Sequence, residues 1–234
     1  MKNNLKIRWI GQGGYLFSDR ETTLCIDPYL SDVVGRVAGR PRMVEAPFAP
    51  EELSANAVIC THDHLDHIDT DAIPKMQKDR MMFYAPSAAK DKLFSLGVNN
   101  YCPFDEKSVY KVGDFEIEAV YACHSVPAIG VLFRHSGLTI YISGDTEYDA
   151  RLEELKDKKI DLMIICINGR LGNMNAEEAA RLTKIISPRA AIPTHYGMFE
   201  SNTENPEVYT SKIDCGCILD YNREYTIKEI LGNV

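Results

Sequence analysis

Residues 61–67 read Thr-His-Asp-His-Leu-Asp-His (THDHLDH) and contain three of the six histidines of the chain. The interior of a helix or strand does not favour such a run, because buried imidazoles and carboxylates each need a polar partner. A solvated turn could carry the acidic residues without the histidines. The combination is typical of a segment that binds a divalent cation through nitrogen and oxygen atoms.

The composition is that of an ordinary globular protein, with 234 residues, 45% of them hydrophobic and 26% charged. This length suffices for one large core, and we predict a single domain over residues 1–234. The net charge of −8 disfavours a broad interface with a phosphate backbone. We therefore expect no nucleic-acid partner, but a small anionic substrate that needs only one or two local cations.

The chain lacks an apolar run as long as a signal peptide or a membrane span, so we expect no membrane partner. Its seven cysteines are odd in number, and most lie inside apolar runs, which is typical of a reducing compartment. We therefore predict a cytoplasmic protein. A homo-oligomer is expected only because symmetric assemblies are common.

Short apolar or alternating runs bounded by turn residues predict a chain rich in strands. The predicted strands cover residues 5–10, 15–19, 23–27, 56–60, 81–86, 107–113, 114–124, 128–135, 138–145, 161–167, 189–197, 217–220 and 224–228. Helices are predicted at 68–80, 87–97, 148–158 and 175–187, with Ser87 and Asn175 as N-caps. Residues 28–53 hold four prolines and no periodicity, which predicts a long loop such as a lid. Two packed sheets with helices outside are the expected architecture.

Metal-binding residue types follow four of the predicted strands, at the point where each strand ends. THDHLDH follows the strand at 56–60. Two of the other strands end at His124 and Asp145, and the third passes His195 by two residues. Strand ends in layered α/β proteins gather at one edge, where sites form. Together the four ends supply five histidines and two aspartates, enough for two metal ions: His62, His64, Asp66, His67, His124, Asp145 and His195.

This order of residues resembles the metallo-β-lactamase fold superfamily, whose signature is H-x-H-x-D-H followed by a His, an Asp and a His. The resemblance implies an α+β fold, a four-layer αββα sandwich with two mixed sheets. It also implies two divalent ions, with zinc or manganese foremost and iron possible. It divides the ligands into two groups and a bridge: His62, His64 and His124 hold one ion, Asp66, His67 and His195 hold the other, and Asp145 bridges them. Asp27 matches a recurrent Asp-Pro near such sites and is expected to orient a ligand histidine by a hydrogen bond.

Two later stretches, INGRLGNMNAEE at 167–178 and IPTHYGMFESNTENP at 192–206, look like the L-ascorbate-6-phosphate lactonase branch of this superfamily, although this chain is shorter. That branch implies hydrolysis of a lactone of a phosphorylated sugar acid, in which metal-bound hydroxide opens the ring. We expect Asp66 to carry a proton to the leaving group. Asn168 and Arg170 are candidate substrate-binding residues, the first for a hydroxyl and the second for an anion. Tyr196 is a candidate donor to an oxyanion.

Several alternatives remain open on the sequence. The same metal ligands would serve a phosphodiesterase acting on a small nucleotide or phospholipid-like substrate, or a non-catalytic metal-binding domain. The candidate site residues have plain structural readings as well: Asp27 as a loop cap, Asn168 as a turn residue, Arg170 as a surface ion-pair partner and Tyr196 as a core aromatic. His135 lies outside the ligand set and is predicted to be a surface residue.

Overall fold

The structure is a computed structural model that describes residues 5–232. Seven strands form the first of two mixed sheets: β1 Lys6–Gly11, β2 Gly14–Ser18, β3 Thr23–Ile26, β4 Ala57–Ile59, β5 Met82–Ala85, β6 Tyr101–Pro103 and β13 Glu224–Thr226. Six strands form the second: β7 Val109–Val112, β8 Phe115–Tyr121, β9 Ile129–His135, β10 Leu138–Ile142, β11 Leu162–Cys166 and β12 Ala190–Thr194. The strand orders are β13-β1-β2-β3-β4-β5-β6 and β12-β11-β10-β9-β8-β7.

The two sheets bury one another's apolar faces in a shared core. The ring of Phe17 on β2 lies 4.6 Å from that of Phe133 on β9, in a T-shaped contact across the two sheets. The strands β3 to β6 run parallel, as do β10 to β12, and the remaining neighbours are antiparallel. In the parallel part of the second sheet, β11 and β12 are buried along their whole length, as expected where both faces are covered.

Helices cover the outer face of each sheet. On the first sheet, Leu93 of α2 (Lys90–Ser95) joins Val58 and Phe83 in a second buried cluster. On the second sheet, the hydroxyl of Thr183 in α3 (Ala176–Ile186) lies 3.7 Å from the sulfur of Met163 on β11. These layers confirm the predicted α+β sandwich of two mixed sheets with helices outside.

α3 begins with the capping interactions that its sequence predicts. The Asn175 side chain accepts hydrogen bonds from the backbone N–H groups of Glu177 and Glu178 at 2.9 and 3.0 Å. The Glu178 carboxylate accepts in return from the Asn175 N–H at 3.0 Å. This reciprocal pair satisfies donors that the first turn of a helix leaves free.

The segment 28–53 was predicted to be a loop, but it contains helix α1 (Val33–Ala38) and a 3₁₀ turn at Pro50–Glu52. α1 has less than two turns, which is too short for apolar periodicity to reveal. It ends at Gly39, whose φ of 65° is the left-handed conformation of a helix C-cap. The Asp69 carboxylate accepts hydrogen bonds from the N–H groups of Leu30 and Ser31 at 2.9 and 2.8 Å, which anchors the start of the segment.

Three helical segments differ from their predictions in the type of helix or in its first residue. Residues 68–80 form two 3₁₀ turns, Ile73–Lys75 and Lys78–Arg80, in place of one helix. Ser87 begins a 3₁₀ turn and hydrogen-bonds to Asp105, so it does not cap the α-helix that starts at Lys90. The segment 148–158 is helical, but as the 3₁₀ helix Ala150–Lys158. Pro74 and Ser87 favour the tighter turns in the first two of these segments, because proline and short polar side chains compete with regular α-helical hydrogen bonding.

The C-terminal prediction was partly wrong. Residues 217–220 are not a strand, although the Cys217 N–H donates to the Ala191 carbonyl at 2.9 Å. The predicted strand at 224–228 ends at Thr226, and the chain continues directly into helix α5 (Ile227–Gly232). A short helix, α4 (Pro206–Thr210), precedes this segment. β6 was not predicted at all. These edge elements are three to six residues long, too short to carry a clear pattern.

His135 was predicted to lie on the surface, and that prediction was wrong. The residue is only 5% exposed at the end of β9. Its ring packs 4.4 Å from the Phe115 ring, and its Nε2 lies 2.9 Å from an Asp19 carboxylate oxygen. Phe115 of the neighbouring strand β8 and Asp19, which follows β2 of the other sheet, enclose the ring, and its position beside a turn did not indicate this. Within residues 5–232, the helices are all too short or too polar to span a bilayer.

Candidate metal centre

The segment 61–67 is a tight turn that directs several side chains to one point. It follows β4, and the N–H groups of His67 and Ile68 both donate to the His64 carbonyl, at 3.1 and 2.7 Å. His62 and His67 are fully buried, and their ring centroids lie 3.9 Å apart. The turn therefore supplies most of the candidate ligand residues from a single short piece of chain, as its composition predicted.

The first predicted ligand group is brought together. Ligand atoms of His62, His64, His124 and Asp145 all lie within 4.8 Å of one another. His124 Nε2 is 3.2 Å from His64 Nδ1. The other ring nitrogen of His124, Nδ1, lies 2.9 Å from the Gly172 carbonyl oxygen. Donation from Nδ1 to this carbonyl selects the tautomer in which Nε2 is free to bind a metal.

The second predicted group is also brought together. Ligand atoms of Asp66, His67 and His195 lie within 4.8 Å of one another. Oδ2 of Asp66 is 3.6 Å from His67 Nε2 and 3.5 Å from His195 Nε2. Asp66 and His67 lie in the turn 61–67, whereas His195 follows β12, so two distant parts of the chain meet here.

Asp145 lies between the two groups, and its two oxygens face different histidines. Oδ1 is 3.4 Å from His67 Nε2 and 3.0 Å from His195 Nε2. Oδ2 is 4.0 Å from His62 Nε2 in the first group. One carboxylate therefore reaches both groups, which is the arrangement that the predicted bridging role requires.

The donor atoms fit divalent metal ions. His62 Nε2, His67 Nε2 and Asp145 Oδ1 are buried, and within residues 5–232 none of them makes a hydrogen bond of regular geometry, although Asp145 Oδ1 lies close to the His67 and His195 rings. Burying such atoms without a partner is costly, and all three face the two ligand groups. The groups offer imidazole nitrogen and carboxylate oxygen without thiolate, a set that suits Zn, Mn or Fe and differs from a thiolate-rich structural zinc site.

Burial and neighbouring charges shift the pKa values of His62, in the first group, and His67, in the second group, in opposite directions. Burial, reinforced by the neighbouring His67, lowers the pKa of His62 well below its ordinary value and so favours the neutral imidazole that binds metals. Burial also opposes protonation of His67, but the carboxylates of Asp27, Asp145 and Asp66 outweigh it and raise the pKa of His67 well above its ordinary value. The cluster thus has a concentrated negative field, which a bound cation would neutralise.

Asp27 lies where its predicted orienting role requires. The residue follows β3, and one of its carboxylate oxygens is 2.8 Å from His67 Nδ1. The same carboxylate accepts hydrogen bonds from the backbone N–H and the hydroxyl of Thr61, both at 2.7 Å. Holding Nδ1 in this way directs Nε2 of the ring towards Asp66 and Asp145.

A cavity of about 470 Å³ opens onto the ligand groups and would admit a small substrate. Four candidate ligand residues and eight residues from several segments line it: His64, Asp66, Asp145 and His195, together with Val34, Ala38, Arg40, Leu65, Ser125, Leu171, Phe199 and Asn202. Helix α1 and the residues after it therefore form one wall of the cavity. Arg40 is the cationic residue of this lining, and the sequence interpretation did not single it out.

The two predicted substrate-binding residues lie outside this lining. Asn168 is buried and donates to the Asn202 side chain at 2.8 Å, so it supports a residue of the wall. Arg170 is exposed and donates to the Ser201 carbonyl at 3.2 Å, while its neighbour Leu171 faces the cavity. The structure therefore does not place the Arg170 guanidinium where the predicted contact with a bound anion needs it.

Tyr196 is also directed away from the ligand groups. Its ring packs against Trp9 in a tilted contact with the ring centroids 4.8 Å apart, and the residue is 9% exposed. Burial, together with Asp220 and Cys217, raises the pKa of its hydroxyl well above the ordinary value. These neighbours belong to the C-terminal segment, so the geometry favours the core role over the oxyanion role that we had also predicted.

The sequence interpretation missed Gln12, which is fully buried beside the second ligand group. Its Nε2 lies 2.9 Å from Asp66 Oδ2 and 3.0 Å from His195 Nε2. The residue stands in the glycine-rich turn GQGG at 11–14, which was taken only as a connection between β1 and β2. A polar side chain in a turn that follows a buried strand was the available signal.

Comparisons with known proteins agree with this geometry. The family model described as "Beta-lactamase superfamily domain" matches residues 22–196. A UPF0173 metal-dependent hydrolase from Methanosarcina mazei is 27% identical over 233 residues, which cover 90% of this chain and 91% of that protein. Another from Thermococcus kodakarensis is 28% identical over 220 residues, with coverage of 88% and 90%.

Solved structures share the fold over nearly the whole chain. Igni18, a metallo hydrolase from Ignicoccus hospitalis, superposes with a TM-score of 0.78 at 19% identity and covers 95% of this chain and 97% of its own. An isothiocyanate hydrolase from Delia radicum gut bacteria gives a TM-score of 0.79 at 21% identity, with coverage of 94% and 98%. The sequence-based expectation of the metallo-β-lactamase fold is thus confirmed, and the chain belongs to the beta-lactamase superfamily domain family.

Proposed function

We propose that the protein is a hydrolase that holds two divalent ions and opens the lactone ring of a small phosphorylated sugar acid, such as L-ascorbate 6-phosphate. The observation that carries the proposal is the position of Asp145, whose two oxygens face the two ligand groups beside an open cavity. The relatives named metal-dependent hydrolases support the general reaction. The stretches at 167–178 and 192–206 support the lactone.

The chemistry needs a polarised carbonyl and an activated water. Two divalent ions, with zinc or manganese foremost and iron as a third candidate, would supply both when bound by His62, His64, His124, Asp66, His67, His195 and Asp145. The side chain of Asp66 borders the cavity and is 16% exposed. Burial opposes its ionisation, but His67 and His195 lower the pKa of the carboxyl far below its ordinary value. Asp66 is therefore ionised at neutral pH, which is the state that binds a metal ion. Its place at the border of the cavity, and not its low pKa, supports the proposed role of carrying a proton to the ring oxygen that leaves.

The cavity wall suits an anionic substrate through Arg40, the residue we assign to the role first predicted for Arg170. Arg40 follows the C-cap of α1 and is partly exposed. Within the part of the chain that the structure describes, its guanidinium has neither an ion pair nor a hydrogen bond to another side chain. A planar guanidinium that is free to bind presents paired donors to a phosphate or carboxylate. Asn202, held by Asn168, offers an amide to a substrate hydroxyl.

Hydrolysis assays with a matched substrate panel test the proposal. The panel contains phosphorylated and unphosphorylated sugar lactones and small phosphodiesters, each with added Zn²⁺ or Mn²⁺. We expect turnover of the phosphorylated lactones and its loss in H64A. Turnover of phosphodiesters alone would favour the alternative of a phosphodiesterase, and metal binding without turnover on the whole panel would favour a non-catalytic domain.

A pair of arginine variants tests the substrate class. Removing a charged hydrogen bond of about 1.5–3 kcal/mol raises KM by about 10- to 100-fold. We therefore expect this rise in R40A for the phosphorylated lactone and little change for its unphosphorylated counterpart. R170A is the matched control, since Arg170 lies outside the cavity lining and binds the Ser201 carbonyl. Equal effects of R40A on both lactones would contradict the assignment of Arg40.

A further inference from the structure

Gln12 is a fully buried residue whose side-chain amide contacts two of the metal-ligand candidates. Its Nε2 donates to Asp66 Oδ2 at 2.9 Å. The same atom lies 3.0 Å from Nε2 and 3.1 Å from Nδ1 of His195. Asp66 and His195 come from separate parts of the chain, so this amide is positioned to set their mutual orientation.

The backbone of Gln12 is fixed by contacts to the strand end that carries His195. Its carbonyl accepts hydrogen bonds from the Trp9 indole N–H at 3.0 Å and the Thr194 hydroxyl at 2.8 Å. It also accepts one from the His195 N–H at 3.3 Å. The residue has a φ of 51°, a conformation uncommon for a side chain larger than glycine. The turn between β1 and β2 is thus attached to β12, and the side chain is directed into the second ligand group.

The polarity of this side chain is not explained by packing. Its Oε1 is buried, and within residues 5–232 it has no hydrogen-bond donor. An apolar side chain of the same size would avoid an unpaired buried oxygen. An amide, however, offers both a donor to a ligand carboxylate and, by rotation about its last bond, an acceptor for the ring N–H of a metal-bound histidine.

We infer that Gln12 is a positioning residue of the second ligand group, whose amide holds the Asp66 carboxylate and the His195 ring in the orientation that binds a divalent ion. The inference rests on the two-ion site proposed above. Residues that orient metal ligands typically change metal affinity by about 10- to 100-fold when they are replaced. Gln12 does not itself have to touch the substrate for this effect.

Metal titration of chelator-treated protein tests the inference without a measurement of turnover. The variant Q12M keeps most of the side-chain volume and removes the amide. Q77M is the matched control, because Gln77 is exposed, donates to the Glu51 carbonyl and accepts from Arg80, far from the two ligand groups. We expect wild type and Q77M to bind two equivalents of Mn²⁺ or Zn²⁺, and Q12M to bind one of the two about 10- to 100-fold more weakly. The metal-free Tm of Q12M should equal or exceed that of wild type.

The outcomes separate this inference from the proposed function. Wild type that binds fewer than two equivalents would overturn the two-ion site and this inference with it. Two wild-type equivalents, with unchanged affinities in Q12M, would overturn the role of Gln12 alone. If Q12M does not fold without metal, Q12A replaces it in the same titration. Failure of both variants to fold, where metal-free wild type folds, would show that Gln12 serves the fold and would also refute the inference.

Discussion

Gly172 supports His124 closely enough that one added methyl group should disturb metal binding. Its carbonyl oxygen lies 2.9 Å from His124 Nδ1. Gly172 has a φ of +87°, and a Cβ at this position would lie 2.8 Å from Nδ1 and 2.9 Å from Cε1 of His124. Ordinary contact begins near 3.4 Å, so the ring in G172A has to retreat by about 0.6 Å. That shift moves a ligand of the first group away from its partners.

Two separate costs follow from the substitution. Alanine in a left-handed conformation costs about 1–2 kcal/mol of folding stability. For a chain of this size, each kcal/mol lowers Tm by about 2–4 °C. Loss of the orientation of His124 adds a decrease in metal affinity of about 10- to 100-fold.

G137A is a control that should lose folding stability without losing metal affinity. Gly137 has a φ of +81° in the turn between β9 and β10, and no atom lies within 4 Å of a Cβ built there. Both variants should therefore melt below wild type by similar amounts when metal-free. Calorimetric titration with Zn²⁺ or Mn²⁺ should show weaker binding in G172A alone. Wild-type metal affinity in G172A, or an equal loss in G137A, would refute the reasoning.

Three further predictions concern the second ligand group, a helix cap and acid stability. D27A should weaken binding of the ion beside His67 by about 10- to 100-fold in a metal titration, and unchanged affinity would contradict the orienting contact. N175A should lower the free energy of unfolding in urea by about 1 kcal/mol through loss of the α3 cap, with no effect on metal affinity. Burial raises the pKa of Asp19, but N–H donors and His135 outweigh it and lower that pKa below 3.8. The carboxylate therefore stabilises the fold above about pH 4, and the difference in stability between wild type and D19N should shrink as the pH falls below that value. A difference that is constant between pH 7 and pH 3 would show that the Asp19 charge does not contribute.

The clustering of the candidate metal ligands was predictable because their chemistry and their place along the chain agree. Each ligand residue follows a strand, and a sandwich brings strand ends to one edge. The turn 61–67 and the residue His195 therefore meet, although more than a hundred residues separate them. The tertiary structure showed in addition that the two carboxylate oxygens of Asp145 face different ligand groups.

The cavity residues were harder to predict, because neighbouring side chains in an irregular turn can point in opposite directions. Arg170 was assigned to the substrate from its place after β11. Two residues with positive φ, Gly169 at 65° and Leu171 at 55°, flank it. The turn they make presents Leu171 to the cavity and leaves Arg170 outside.

The amino-acid sequence by itself determined the strand-rich architecture and the order of the candidate ligands, since periodicity and residue chemistry are local properties. Their division into two groups was implied by the resemblance to the metallo-β-lactamase fold superfamily. Only the tertiary structure decided that Gln12 lies beside Asp66 and that Arg40 borders the cavity. It also decided that His135 is buried. Those facts depend on which distant segments pack against one another and on the direction of each side chain. No pattern within a single segment contains that information, because a contact between segments is a property of both.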